Sequence, residues 1–128
     1  LSAAVGKELN EHIGSYGDVL WTNPNPGSSF VGQDVQIDLS SYKAILISSY
    51  EYATDANRRI EETRIAIVGA YDTQSVVCPF VDSNGMVQSF SVRKFRVNTN
   101  SKVTFTNAYN GSGTENGQCV PHVIYGII

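Results

Sequence analysis

The stretch "MVQSFSVRKFRVNTNSKVTFTNA", residues 86–108, reads as one long hairpin and organises the rest of the chain. Phe90 and Val92 share one parity; Phe95 and Val97 share the other. A strand has a period of two, so the inner face is expected to change sides between Val92 and Phe95. A β-bulge at Arg93-Lys94 would do this and bend the strand so that it serves two sheets. "NTNS" (98–101) suits a tight reversal, and Val103 and Phe105 alternate with Thr104 and Thr106 on the return. A long bent hairpin is the spine that a β-sandwich needs.

The other segments agree with an all-β domain. Reading outward, "DVLWT" (18–22) is a short strand, and "NPNPGSS" (23–29) is irregular because proline lacks a donor and restricts its predecessor. "QDVQIDL" (33–39) alternates, with Val35, Ile37 and Leu39 inward. Residues 43–52 read as a central strand, 53–62 as a polar loop, 63–71 as a buried strand, and 75–81 as a strand that Pro79 pushes toward an edge or a bulge. "DSNG" (82–85) carries the Asn-Gly turn signal, 109–117 is Gly-rich, and "QCVPHVIYGII" closes the sequence as a strand. The expected fold is an antiparallel β-sandwich or jelly roll of about eight strands over 17–128.

Residues 1–16 differ. Leu1, Val5, Leu9 and Ile13 recur at i, i+4 and form a narrow apolar stripe on an expected helix, stopped at Gly14. Such a stripe either docks on the domain or forms the seam of a stalk, and these four residues are the candidate oligomerisation contacts. If successive strands alternate in direction, the loops at 23–32, 53–62, 82–85 and 107–118 share one pole. The three short turns share the other, where the helix enters. Long loops on a rigid scaffold are where binding usually sits.

Composition limits the chemistry. The chain has 128 residues, 41% of them hydrophobic, enough for one core. A net charge of −3 argues against nucleic acid as the main partner. No run approaches the roughly 20 apolar residues of a membrane span. Cys78 and Cys119 read first as buried free thiols, and second as a disulfide. With His12 and His122 they give no metal-ligand spacing, and no cofactor motif is present. Neither a nucleophile elbow nor a paired-carboxylate arrangement is present, so the reading is non-enzymatic. The candidate ligand contacts are Trp21, as a stacking indole, with Asp55, Asn57 and Arg58 in one loop and Tyr109, Asn110, Glu115 and Asn116 in another. Aromatic faces beside planar polar groups are what a sugar site combines. For each of them the competing reading is plain: packing for Trp21, solvated loop side chains for the rest.

Two stretches, "LWTNPNPGSSFVGQDVQIDLSSYKAILI" (20–47) and "QCVPHVIYGI" (118–127), resemble the C-terminal domains of tail-fibre, receptor-binding and related minor structural proteins of phages and prophages of Gram-positive bacteria. The resemblance implies a β-rich head on a shaft, assembled in the host cytoplasm as a homotrimer with other virion proteins and carried on the virion. A host-surface polysaccharide or glycan is the implied partner, without nucleic acid and without membrane insertion. Two other readings stand beside it: a purely structural head-fibre or shaft-capping domain, and a carbohydrate-binding module of a cell-wall hydrolase.

Overall fold

The computed structural model describes residues 17–51 and 59–128. The expected helix with Leu1, Val5, Leu9 and Ile13, and the loop residues 52–58, lie outside the described residues. Eight strands follow in order: β1 (Asp18–Thr22), β2 (Asp34–Gln36), β3 (Ala44–Glu51), β4 (Glu61–Ile67), β5 (Gln74–Val81), β6 (Val87–Arg96), β7 (Lys102–Asn110) and β8 (Cys119–Ile127). They form two antiparallel sheets, β1-β8-β3-β4 and β2-β7-β6-β5. The all-β, two-sheet expectation therefore holds for the described residues.

The alternating segments explain the core. Val35, Ile37 and Leu39 are buried, and Asp34, Gln36 and Asp38 are exposed, so one parity enters the sandwich. Beyond β2 the same segment still pairs, through Ile37 N to Ser101 O (3.0 Å) and Leu39 N to Asn100 O (2.7 Å). These side chains meet Ile45 and Ile47 of β3, Ile124 of β8, Val103 and Phe105 of β7, and Phe95 of β6. Burying each aliphatic or aromatic side chain of this kind contributes about 1.5–3 kcal/mol. Trp21 and Leu20 pack against the rim of this cluster.

The connections sort by pole. β3 ends and β4 begins at the pole where β1 ends, β5 gives way to β6, and β7 gives way to β8. The turns after β2, β4 and β6 meet at the other pole, where Gly69 N donates to Val97 O (2.7 Å) and Lys43 N to Ile127 O (2.9 Å). At the first pole the Pro-rich loop is tied to β8. Asn23 N donates to His122 O (2.9 Å) and Asn23 Nδ2 to Pro121 O (2.8 Å). A bulge places His122 outside the β3–β8 pairing, because Ser48 pairs with Val123 but Ser49 with Pro121.

Two sequence expectations are corrected. The inner face of β6 does not change sides. Ser91, Arg93, Phe95 and Val97 are all buried, whereas Phe90 is exposed and Val92 half-buried on the outer face. The strand stays in one sheet, and the interior near the long loops is simply polar. A bulge does occur at this level, but on β7: Arg93 pairs with Ala108 and Phe95 with Phe105, so the extra residue falls at Thr106-Asn107. The second correction concerns β4, expected as a buried strand over 63–71. It runs over Glu61–Ile67 at a sheet edge, with Ile65 and Ile67 57% and 60% exposed. Pro79 lies on β5, which is an edge strand, as its missing N–H requires.

Candidate functional site

The outer face of β2-β7-β6-β5 carries a concavity of about 430 Å³ beside the β7–β8 loop, lined by Val92, Lys94, Thr106, Tyr109 and Asn110. The cross-strand row that brings Val92 and Tyr109 to it follows from register. Val77 of β5, Val92 of β6 and Tyr109 of β7 stand directly opposite one another. Tyr109 is 44% exposed and lines the concavity. Phe90, one step along β6 on the same face, packs close to Gly111; a Cβ added there would lie 3.0 Å from the ring.

The β7 bulge places the polar side. Thr106 Oγ1 accepts from Lys94 N (3.3 Å) and lies 3.1 Å from Lys94 O. The hydroxyl thus stands in for the ladder partner that the bulge removes, and fixes the backbone that aims Lys94 outward. The loop beyond Tyr109 is a small hairpin of its own. Tyr109 bridges Glu115, Asn110 N donates to Thr114 O (2.9 Å), and Asn116 N donates to Ala108 O (2.8 Å). Asn110 Oδ1 accepts from Ser112 N (3.0 Å) and Thr114 N (2.9 Å). The turn needs Gly113, whose φ is 79°. The loop is therefore pre-ordered, which lowers the entropy that a ligand must overcome.

Beneath this surface the loop pole is braced by a buried cation. Arg93 has no exposed surface, and its guanidinium donates to Cys119 O (Nε, 2.5 Å), Thr106 O (2.6 Å) and Phe30 O (2.7 Å), while lying 5.0 Å from the Phe30 ring centroid. One side chain thus joins β8, the β7 bulge and the Pro-rich loop. Burial pulls its pKa down from the usual arginine value. Glu51 lies in the same interior. Its Oε1 accepts from Ser91 Oγ (3.0 Å), its Oε2 has no partner, and burial pushes its carboxyl up to about 7 against the opposing effect of the Ser91 hydrogen bond. Asn116 Nδ2 donates to Ser91 Oγ (3.1 Å) and links the loop to this interior.

The sequence-derived site residues separate. Tyr109 and Asn110 line the concavity; Glu115 is exposed on the returning arm of the loop, and Asn116 turns inward as a loop anchor. Trp21 packs edge-on against Phe30 (6.1 Å between centroids) at the core rim. Asp55, Asn57 and Arg58 lie outside the described residues. Lys94 and Thr106 were missed: strand alternation turns both outward, but only the pairing of β6 with the bulged β7 brings them beside Tyr109. Among the described residues no cluster of His, Cys, Asp and Glu has metal-binding geometry.

No protein-family model, curated protein or solved structure matches this chain.

Proposed function

We propose that the chain is the head domain of a phage fibre, a homotrimeric, non-enzymatic virion protein that adheres to a glycan on the host surface through the Tyr109 concavity. The observation that carries this reading is the composition of that concavity. A half-exposed tyrosine meets the ammonium of Lys94, the hydroxyl of Thr106 and, at the start of a pre-ordered loop, the carboxamide of Asn110. An aromatic plane takes the apolar face of a pyranose, and the Lys94 ammonium and the Asn110 carboxamide take its hydroxyls. The nested pairing of β1 with β8 and β2 with β7 fits a jelly-roll-like head. Trimerisation gains support from the opposite sheet. Val19 and Ile65, at the two ends of a row that Tyr125 and Leu46 complete on its outer face, are 59% and 57% exposed, while Leu46 is buried at 8%. Three weak sites on one assembly bind a repeating surface polymer with avidity far above that of each site.

The test is a screen of the domain on immobilised cell-surface glycans, repeated with Tyr109→Ala. Binding that Tyr109→Ala weakens by about tenfold or more supports the reading. Binding unaffected by that change refutes the concavity as the site. The same apolar row favours a second reading, a shaft-capping domain with no ligand. A trimer that binds no glycan at millimolar concentration would establish that one instead.

A further inference from the structure

Cys78 of β5 and Cys119 of β8 sit in different sheets, and both are fully buried. Their sulfur atoms are 2.7 Å apart, with the Cys119 thiol directed at Cys78. Small side chains create this approach. Ala108 and Val76 are the other members of the cluster, and the strand partners of the two cysteines, Ser91 and Glu51, also touch across the sandwich at 3.0 Å. Neither cysteine is free to drift away. Cys119 is held by its pairing with Glu51 and by Arg93 on its carbonyl, and Cys78 by its pairing with Ser91.

We infer that Cys78 and Cys119 are a covalent modification site: an intersheet disulfide that forms while the chain folds in the presence of a small-molecule disulfide. The chemistry balances with oxidised glutathione as oxidant. One cysteine thiolate attacks it, forming a mixed disulfide and releasing one glutathione thiol. The second cysteine then displaces the remaining glutathione, so two protein thiols become one disulfide and the oxidant leaves as two thiols. The order of events matters. In the closed sandwich the Cys78 thiol is held protonated, chiefly by its hydrogen bond with Cys119 and then by burial, and a thiol that is not ionised and not exposed does not exchange. The redox state is therefore set before the sheets close and is kept afterwards. The bridge joins residues 41 apart, a span over which a cross-link restricts the unfolded chain substantially.

The experiment uses the wild-type protein in three arms, read by N-ethylmaleimide labelling in guanidinium and intact mass. Protein purified with reductant is incubated folded with oxidised glutathione; a second sample is unfolded and refolded with it; a third is refolded with reduced glutathione. The expected result is two labelled thiols in the first and third arms. The second is unlabelled, monomeric on a non-reducing gel, and melts roughly 10 °C higher than the third. A Cys78→Ser/Cys119→Ser protein is expected to melt at the same temperature in both refolding buffers. Two labelled thiols after refolding with oxidised glutathione would overturn the inference. So would an oxidised form that melts no higher than the reduced one.

Discussion

Replacing Arg93 by Met tests whether the loop pole is held by one buried cation. Methionine fills much of the same volume but offers no donor. The change strands three carbonyls, on Phe30, Thr106 and Cys119, that now accept at 2.7, 2.6 and 2.5 Å. An unpaired buried acceptor costs about 1–3 kcal/mol, so the direct loss is about 3–9 kcal/mol. Against it stands the relief of no longer burying a charge, worth several kcal/mol. The net destabilisation expected is about 2–5 kcal/mol, the upper part of that loss less the relief of the buried charge. Trp21, the only tryptophan, touches Phe30 and reports on this pole, so urea unfolding followed by its fluorescence is the assay. With a slope of about 1.5 kcal/mol per M, the midpoint falls by about 1–3 M. Arg93→Lys should lose most of the same amount, because a compact ammonium cannot reproduce a planar fork aimed at three directions. A midpoint for Arg93→Met within about 0.5 M of wild type would refute the reasoning.

Three further outcomes are expected. Glu51 has a folded-state pKa of about 7, above its unfolded value, so folding favours its protonated form. Stability is then fullest below about pH 4.5, declines as pH rises through about 7, and is level above it, a total of about 3 kcal/mol. Glu51→Gln should flatten this part of the stability profile, measured by urea unfolding from pH 4.5 to 8; an unchanged profile would assign the dependence elsewhere. Gly32→Ala puts a Cβ 2.6 Å from both Thr106 C and Asn107 N, backbone atoms that cannot step aside, so thermal unfolding should show a loss of about 1–3 kcal/mol or more. Tyr42→Phe removes only an exposed hydrogen bond to Asp18 (2.8 Å) and should shift stability by less than about 1 kcal/mol in the same assay.

Much of the fold was legible because alternation is a local signal. Val35, Ile37 and Leu39, and Val103 and Phe105, announced their faces within a few residues. Pro79 marked an edge because its missing donor is a property of one residue. The reading failed where burial does not mean apolar. At Ser91 and Arg93 the inward residues are polar and the outward ones, Phe90 and Val92, are apolar, so a rule that sends hydrophobic parity inside gives the wrong face. What makes Arg93 tolerable inside is a set of carbonyls up to 63 residues away, which no local window contains. β4 misled for a related reason: Ile65 and Ile67 show an apolar face, but not which side of the sheet it takes. At the candidate site, Tyr109 and Asn110 were legible as loop chemistry. Lys94 and Thr106 were not, because they depend on where β7 bulges against β6.

The position of β8 sets a timetable for the whole domain. It is the last strand in order, yet it lies between β1 and β3, and it supplies Ile124 and Val120 to the main core and Cys119 to the thiol pair. During synthesis β1 and β3 have no common neighbour until Cys119–Ile127 have been made, and the flank of Ile45 and Ile47 stays open to water and to other chains. The unit therefore cannot close until that segment has been made. Nascent copies on one message are most prone to cross-pairing in that interval, through the slot that each chain's own β8 must fill.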